Sequence, residues 1–265
     1  MKILALDSSG LVASVAVMQD DTLLAEYTVN YKKTHSQTLL PMLDEVAKMT
    51  ELDLNTIDAI AVSGGPGSFT GLRIGSATAK GLGLALKKPL IHIPTVDALA
   101  YNLYGTEKVI CPIMDARRNQ VYTGIYQFRT KTDSMESTLK NAEYTAKSDE
   151  FCVLMEQTPM AVEELIQKLN EENQPVIFLG DGVPVYRELI EKLIKVPHQY
   201  APAHSNRQRA ASVAALGMQY AAEGKIETAA EHMPDYLRLS QAERELAKKQ
   251  IPGDAGYQAD AENKR

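Results

Sequence analysis

The sequence predicts an α/β protein in which helices cover a mixed β-sheet. Three observations carry this expectation. The chain opens with three Val-, Ala- and Leu-rich runs joined by short polar turns, the pattern of an antiparallel meander. From Ser36 the apolar residues switch to a helical period. After that, short apolar runs alternate with helical stretches, as parallel crossovers require.

The elements read in order. Lys2 to Leu6 forms a strand closed by the turn Asp7-Ser8-Ser9-Gly10, Leu11 to Val17 a second strand, and Leu23 to Val29 a third. From Ser36 to Met49, Leu39, Leu43 and Val46 repeat at helical spacing beside Leu40, Met42 and Ala47, with Thr34 or Ser36 as cap. This is more apolar surface than one stripe needs. Ile57 to Val62 is a buried strand, and a second helix spans Ser68 to Leu86. That helix carries Gly71, Gly75, Gly81 and Gly83. Each costs about 0.5–1 kcal/mol relative to Ala, so close approach of another backbone is the expected reason. Leu90–Ile93 is a strand and Thr95–Leu103 a helix. Val109–Met114 and Val121–Phe128 are two further strands, and residues 129–150 are polar and weakly patterned. Helices near 161–169, 185–194 and 210–222 flank a strand at Val176–Leu179, making a second, thinner α/β unit. No internal repeat is visible. A short helix around 242–249 and a disordered polar tail over 239–265 complete the reading.

Of 265 residues, 45% are hydrophobic and 23% charged, which is ordinary globular composition. Lys plus Arg number 28 against 34 Asp plus Glu, a net charge of −6. That balance disfavours a protein gripping nucleic acid alone. Only short basic pairs occur, such as Lys32-Lys33 and Arg117-Arg118, and these read as solvated surface. Cys111 and Cys152 are distant and sit among apolar neighbours, so two buried free thiols in a reducing cytosol are expected. The N-terminus is too short in apolar residues for a signal peptide, and no run approaches a membrane span.

Two turns could hold phosphate. In Asp7-Ser8-Ser9 a carboxylate and two hydroxyls could bind a metal-associated phosphate, or make a plain Asx turn. In Ser63-Gly64-Gly65-Pro66-Gly67-Ser68-Phe69-Thr70-Gly71 the glycines could admit a phosphate to a helix N-terminus, or simply make a tight strand-to-helix turn. The loop lacks both the Walker A and the dinucleotide patterns. The histidines form no i, i+4 ligand pair, so no metal site is expected in this chain, and no nucleophile elbow is present. Asp115 and Asp181 fall at strand ends, where sites often lie in α/β sheets.

At the glycine loop a resemblance becomes specific. The string from Ser63 to Gly75 resembles the signature of the bacterial TsaB (YeaZ) family. The start Ile3-Leu4-Ala5-Leu6-Asp7-Ser8-Ser9 agrees, as does His35-Ser36-Gln37-Thr38-Leu39-Leu40-Pro41. So do Asp115-Ala116-Arg117-Arg118-Asn119-Gln120-Val121-Tyr122 and Pro234-Asp235-Tyr236-Leu237-Arg238. The resemblance implies the actin/Hsp70/sugar-kinase (ASKHA) fold of two ribonuclease-H-like lobes: 1–105 carrying the partner-binding helices and 106–238 smaller. It also implies a non-catalytic partner of TsaD, acting with TsaE in threonylcarbamoyl transfer to adenosine 37 of tRNAs that read A-starting codons. ATP, ADP and metal are then expected on TsaD, with none bound tightly here. The His-x-x-x-His positions of TsaD are Thr95 and Leu99 in this chain, and the adenosine-side loop reads Gly180-Asp181-Gly182-Val183. Asp7, Ser8 and Ser9 remain as a phosphate-loop remnant.

The family docks TsaD on the first two helices. The residues expected at that interface are Leu39, Leu40, Leu43, Val46 and Ala47, with Phe69, Leu72, Arg73, Gly75, Ser76, Ala79 and Leu82. The sequence does not sort which of these face the protein's own sheet. Without TsaD the same surface would pair two copies of the chain. Ala47→Arg or Gly75→Arg is expected to weaken the complex and spare the fold. The competing class is an ATP-dependent phosphotransferase or ATPase using Asp7, Ser8, Ser9 and the glycine loop.

Overall fold

The computed structural model describes residues 1–130 and 149–237. The elements run β1 (Lys2–Asp7), β2 (Ala13–Gln19), β3 (Thr22–Val29), α1 (His35–Met49), β4 (Ala59–Gly65), α2 (Phe69–Leu86), β5 (Leu90–Pro94) and α3 (Thr95–Tyr101). They continue as β6 (Val109–Asp115), β7 (Gln120–Thr130), β8 (Asp149–Ala161), α4 (Val162–Glu172), β9 (Val176–Leu179), α5 (Val183–Leu193), β10 (His198–Tyr200) and α6 (Ala210–Ala222). The expected tail and its short helix lie outside the described residues, as does most of the polar stretch before β8.

The first sheet has the order β3-β2-β1-β4-β5, and the second, written the same way, β8-β7-β6-β9-β10. In each, three antiparallel strands are followed by two parallel ones. The topology βββαβαβα therefore occurs twice, although no sequence repeat shows it. Two ribonuclease-H-like sheets of this kind are the fold expected above. The sequence reading missed β8 and β10, and both are edge strands. β8 does carry an apolar run, Phe151 to Met155, but it ends in Glu156, Gln157 and Pro159 and lies on a largely half-exposed ribbon.

Strand alternation builds the layers. Leu4 and Leu6 of β1 face α1 and α2, packing with Val15, Val17, Leu39, Leu43 and Val46. Ile3 and Ala5 point the other way, with Ala16, Ala59, Ala61 and Ile91, onto α6. These alanines let α6 lie close. A Cβ added at Gly217 would stand 3.0 Å from that of Ala61. α3 packs Val96, Leu99 and Ala100 against the second sheet, among Ile110, Tyr126, Phe128 and Ile177. α4 and α5 cover that sheet's outer face through Leu165, Leu169 and Ile190.

The chain after Asn206 returns to the first sheet. Ser14 Oγ accepts from Ala210 N at 2.9 Å, and Glu26 accepts from Ala211 N at 3.1 Å and from Arg209. These bonds satisfy amides at the start of α6 that have no partner within the helix. Beyond α6, a strap bridges Glu227 to Leu90, and Asp235 N donates to Gly64 O at 2.7 Å. Cys111 and Cys152 are both free; Cys111 is buried as expected, but Cys152 on β8 is only half-buried. Among the described residues no helix is long and apolar enough to cross a membrane.

Candidate functional site

The turn after β1 is packed shut against the start of α2. Asp7 is fully buried and accepts from Ser63 Oγ at 2.5 Å, Ser9 N at 2.9 Å and Ser9 Oγ at 2.7 Å. Burial raises its carboxyl above the usual range, and these bonds oppose that rise. Ser8 Oγ donates to Gly71 O at 2.9 Å, and Ser68 N donates to Ser9 O at 2.7 Å. All three side chains expected as a phosphate-loop remnant thus bond within the chain and are buried. His35, at the start of α1, joins this turn through Nε2 and Gly10 O at 2.8 Å. Ser68 caps α2 by accepting from Gly71 N at 3.3 Å.

The glycines of α2 serve this packing. A Cβ at Gly71 would fall 2.1 Å from Ser8 O, and one at Gly75 would fall 2.5 Å from Ser8 Oγ. Gly83 faces Leu90 and Ala229. Of the four glycines, only Gly81 opens onto free space. The close backbone approach expected from these glycines is therefore mainly to the chain's own turn, not to a partner. Gly75→Arg would not spare the fold, which corrects that expectation.

Of the twelve residues expected at the partner surface, the structure buries seven. Leu39, Leu43, Val46, Leu72 and Ala79 belong to the core, Ser76 is buried with them, and Gly75 faces Ser8. Leu40 is 54% exposed, and Arg73 also faces solvent. Ala47, Phe69 and Leu82 are half-buried. The Arg73 guanidinium carbon lies 4.0 Å above the Phe69 ring, and its Nε donates to Tyr236 OH at 3.3 Å. The Tyr236 ring packs tilted against Phe69 with centroids 4.8 Å apart, so the late Pro-Asp-Tyr motif clamps the first turn of α2. The outward ridge that the reading missed is Ala77, Gly81, Leu84 and Ala85, all exposed, with Met49 exposed at the end of α1. Its signal was a helical spacing of small and apolar residues. The same spacing also runs along the buried side of α2, so it could not distinguish the two.

A cleft of roughly 510 Å³ separates the two sheets, lined by Ser9, Gly67, Phe69, Asp115, Arg117 and Asp181 among others. Asp115 accepts from Tyr186 OH at 2.9 Å and lies 3.4 Å from Arg117 Nη1. Burial raises the carboxyl of Asp181, whose Oδ1 accepts from Asp115 N at 3.4 Å. The cleft thus presents two carboxylates and one guanidinium. Thr95 and Leu99 are both fully buried. Thr95 Oγ1 accepts from Gly65 N at 3.2 Å, and Leu99 lies in the hydrophobic layer between the sheets. Neither residue offers an imidazole to a metal.

These features define a protein built on a duplicated ribonuclease-H-like βββαβαβα sheet, with the turn after its first strand closed by internal bonds. The chain matches the family described as "TsaD: tRNA N6-adenosine threonylcarbamoyltransferase" over residues 22–246. It is 33% identical to the tRNA threonylcarbamoyladenosine biosynthesis protein TsaB of Bacillus subtilis, over 92% of this chain and 96% of that protein. The Escherichia coli TsaB is 31% identical over 96% of this chain and 99% of its own length. A solved Pseudomonas aeruginosa protein, described as similar to peptidase YeaZ, superposes with a TM-score of 0.70. It shares 25% identity and covers 89% of this chain and 99% of its own. The chain belongs to the TsaB family of tRNA threonylcarbamoyladenosine biosynthesis proteins.

Proposed function

We propose that this chain is the non-catalytic partner of a TsaD transferase, docked through the outer face of α1 and α2. The observation that carries this reading is the uncovered ridge of α2. Ala77, Gly81 and Ala85 recur at four-residue spacing, beside Leu84 at 66% exposure. Small residues in that row let a partner helix reach the 8–10 Å separation typical of packed helices. Leu40 and Met49 extend the apolar face along α1. In the absence of TsaD the same face pairs two copies about a two-fold axis. Within the complex the chain acts in the cytoplasm with TsaE, supporting threonylcarbamoyl transfer to adenosine 37. ATP, metal and most of the tRNA grip reside on the partners. The closed Asp7-Ser8-Ser9 turn and the apolar setting of Leu99 support a role without chemistry of its own.

The test is analytical ultracentrifugation of the chain with its cognate TsaD at micromolar concentration. A heterocomplex that displaces any self-dimer is expected. Gly81→Arg should weaken it at least 30-fold, because a long charged side chain then enters a close helix contact. A Cβ at Gly81 meets nothing within 4 Å in the monomer and the position is exposed, so circular dichroism should be unchanged. No complex, or one indifferent to Gly81→Arg and Ala77→Arg, would refute the docking face. Steady ATP hydrolysis by the chain alone, lost in Asp7→Asn, would instead support a phosphotransferase or ATPase.

A further inference from the structure

We propose that the C-terminal strap is pinned to the first sheet by a divalent transition-metal ion of the zinc class, held by His92, His232 and Glu227. The three residues come from distant parts of the sequence. His92 lies on β5, and Glu227 and His232 lie on the strap after α6. Their donor atoms all fall within 4.8 Å of one another, the one such group among the described residues. Two imidazoles and a carboxylate are a ligand set that suits zinc.

The site is built rather than incidental. His232 is wholly buried, and its Nε2 has no hydrogen-bond partner. His92 Nε2 is also buried without one. The His232 nitrogen, orphaned on a wholly buried ring, is costly unless something binds it, and His92 Nε2 has only the poorly aligned Asp235 carboxylate nearby. Glu227 Oε1 sits 2.6 Å from His232 Nδ1, which orients that ring with Nε2 as its metal donor and leaves Glu227 its second oxygen to offer the ion. The His92 ring lies against Gly64, where an added Cβ would stand 2.0 Å from Cε1. The glycine thus makes room for the ring on the sheet. Asp235 Oδ2 is 3.0 Å from His92 Nε2, in a geometry that makes no hydrogen bond, and is placed to supply a fourth donor. Glu227 and Asp235 together balance a doubly charged ion. Lys80 Nζ, which opposes a cation here, is engaged by the carbonyls of His232 and Ala230 at 2.8 and 3.3 Å. Tetrahedral zinc with ~2.1 Å bonds places ligands about 3.4 Å apart, so the cluster closes by up to about 1.4 Å on binding.

The role of such an ion is mechanical. The strap carries Tyr236 onto Phe69 and Arg73 and ties Lys80 to its carbonyls, so it braces α2 along its length. Holding the strap to β5 holds that helix in place.

The experiment uses the full chain, purified without a polyhistidine tag, stripped with EDTA and titrated with Zn²⁺ by calorimetry. Co²⁺ is then added as an optical probe. One Zn²⁺ per chain with micromolar or tighter affinity is expected, along with visible Co²⁺ bands of a four-coordinate site. His92→Gln should weaken binding at least 100-fold and abolish the bands. His204→Gln, on an exposed loop, should leave both unchanged. The melting temperature should rise with Zn²⁺ in the natural chain and not in His92→Gln. Because the His92 side chain is 22% exposed, that variant decides the matter even where His232→Gln fails to fold. No stoichiometric Zn²⁺ in the natural chain, or equal affinity in His92→Gln, would overturn the assignment.

Discussion

Alanine at two glycines of α2, ten residues apart, should change stability in opposite directions. At Gly81 an added Cβ meets nothing within 4 Å. The substitution acts only through helix propensity and should stabilise by roughly 1 kcal/mol, or about 2–4 °C in melting temperature. At Gly71 the same gain is outweighed. The new Cβ would lie 2.1 Å from Ser8 O, a backbone atom that cannot rotate aside. Ordinary contact demands that the turn retreat by more than about 1 Å, an overpacking cost of roughly 1–3 kcal/mol. The retreat stretches the Ser8 Oγ bond to Gly71 O and the Ser68 N bond to Ser9 O, each worth about 1 kcal/mol. After the propensity gain, Gly71→Ala should lose roughly 2–4 kcal/mol. The chain has no tryptophan, so urea unfolding followed by far-UV circular dichroism is the assay, with the m-value checked for constancy. If both variants shift the midpoint the same way, α2 is not packed on the Asp7-Ser8-Ser9 turn as described.

Three further outcomes are expected. Burial raises Asp97 to about 6, against the hydrogen bond it accepts from Tyr126 OH at 2.7 Å. Its folded pKa exceeds the unfolded one, so its contribution is fully present below about pH 4 and lost as pH rises through about 6. The loss is on the order of 3 kcal/mol. Asp97→Asn should flatten urea stability across that window and gain stability at pH 8; an unchanged slope would refute this. Asp7→Ala should cost at least ~3 kcal/mol, because three buried donors lose their acceptor, while Asp7→Asn should cost less. Equal losses in denaturant titrations would argue against the bonding described. Burial pushes the Cys111 thiol up to about 12, so Ellman's reagent should modify one thiol per native chain, at half-exposed Cys152, and both after unfolding.

How legible the molecule was depends on which kind of information each feature carries. Central strands and helices were readable because both faces of β1 and β4 are buried and α1 repeats at 3.6 residues, so local pattern and tertiary role coincide. Of the edge strands, β3 and β5 were read, whereas β10 is three residues with no apolar run and β8 adjoins a polar, weakly patterned stretch that masked its Phe151–Met155 run. The duplication was invisible for a related reason: the two sheets share topology and hydrogen-bond order, which many sequences satisfy.

The sequence by itself determined the α/β class, the order of its main elements, the family motifs and the two turns around which the first lobe is built. These rest on period, composition and short-range backbone demands, which act along the chain. Only the tertiary structure decided how those parts are used. It showed Asp7, Ser8 and Ser9 spending their polar atoms on Ser63, Gly71 and one another. It turned Gly71 and Gly75 inward and left Gly81 outward, and it sent Leu39 to the core and Leu40 to the surface. It also brought His92 to His232 and Glu227 across some 140 residues. The physical reason is the same in each case. Both faces of α2 carry small and apolar residues, and histidines so far apart carry no shared period. Their partners are therefore set by which surfaces the two sheets and the returning α6 leave uncovered.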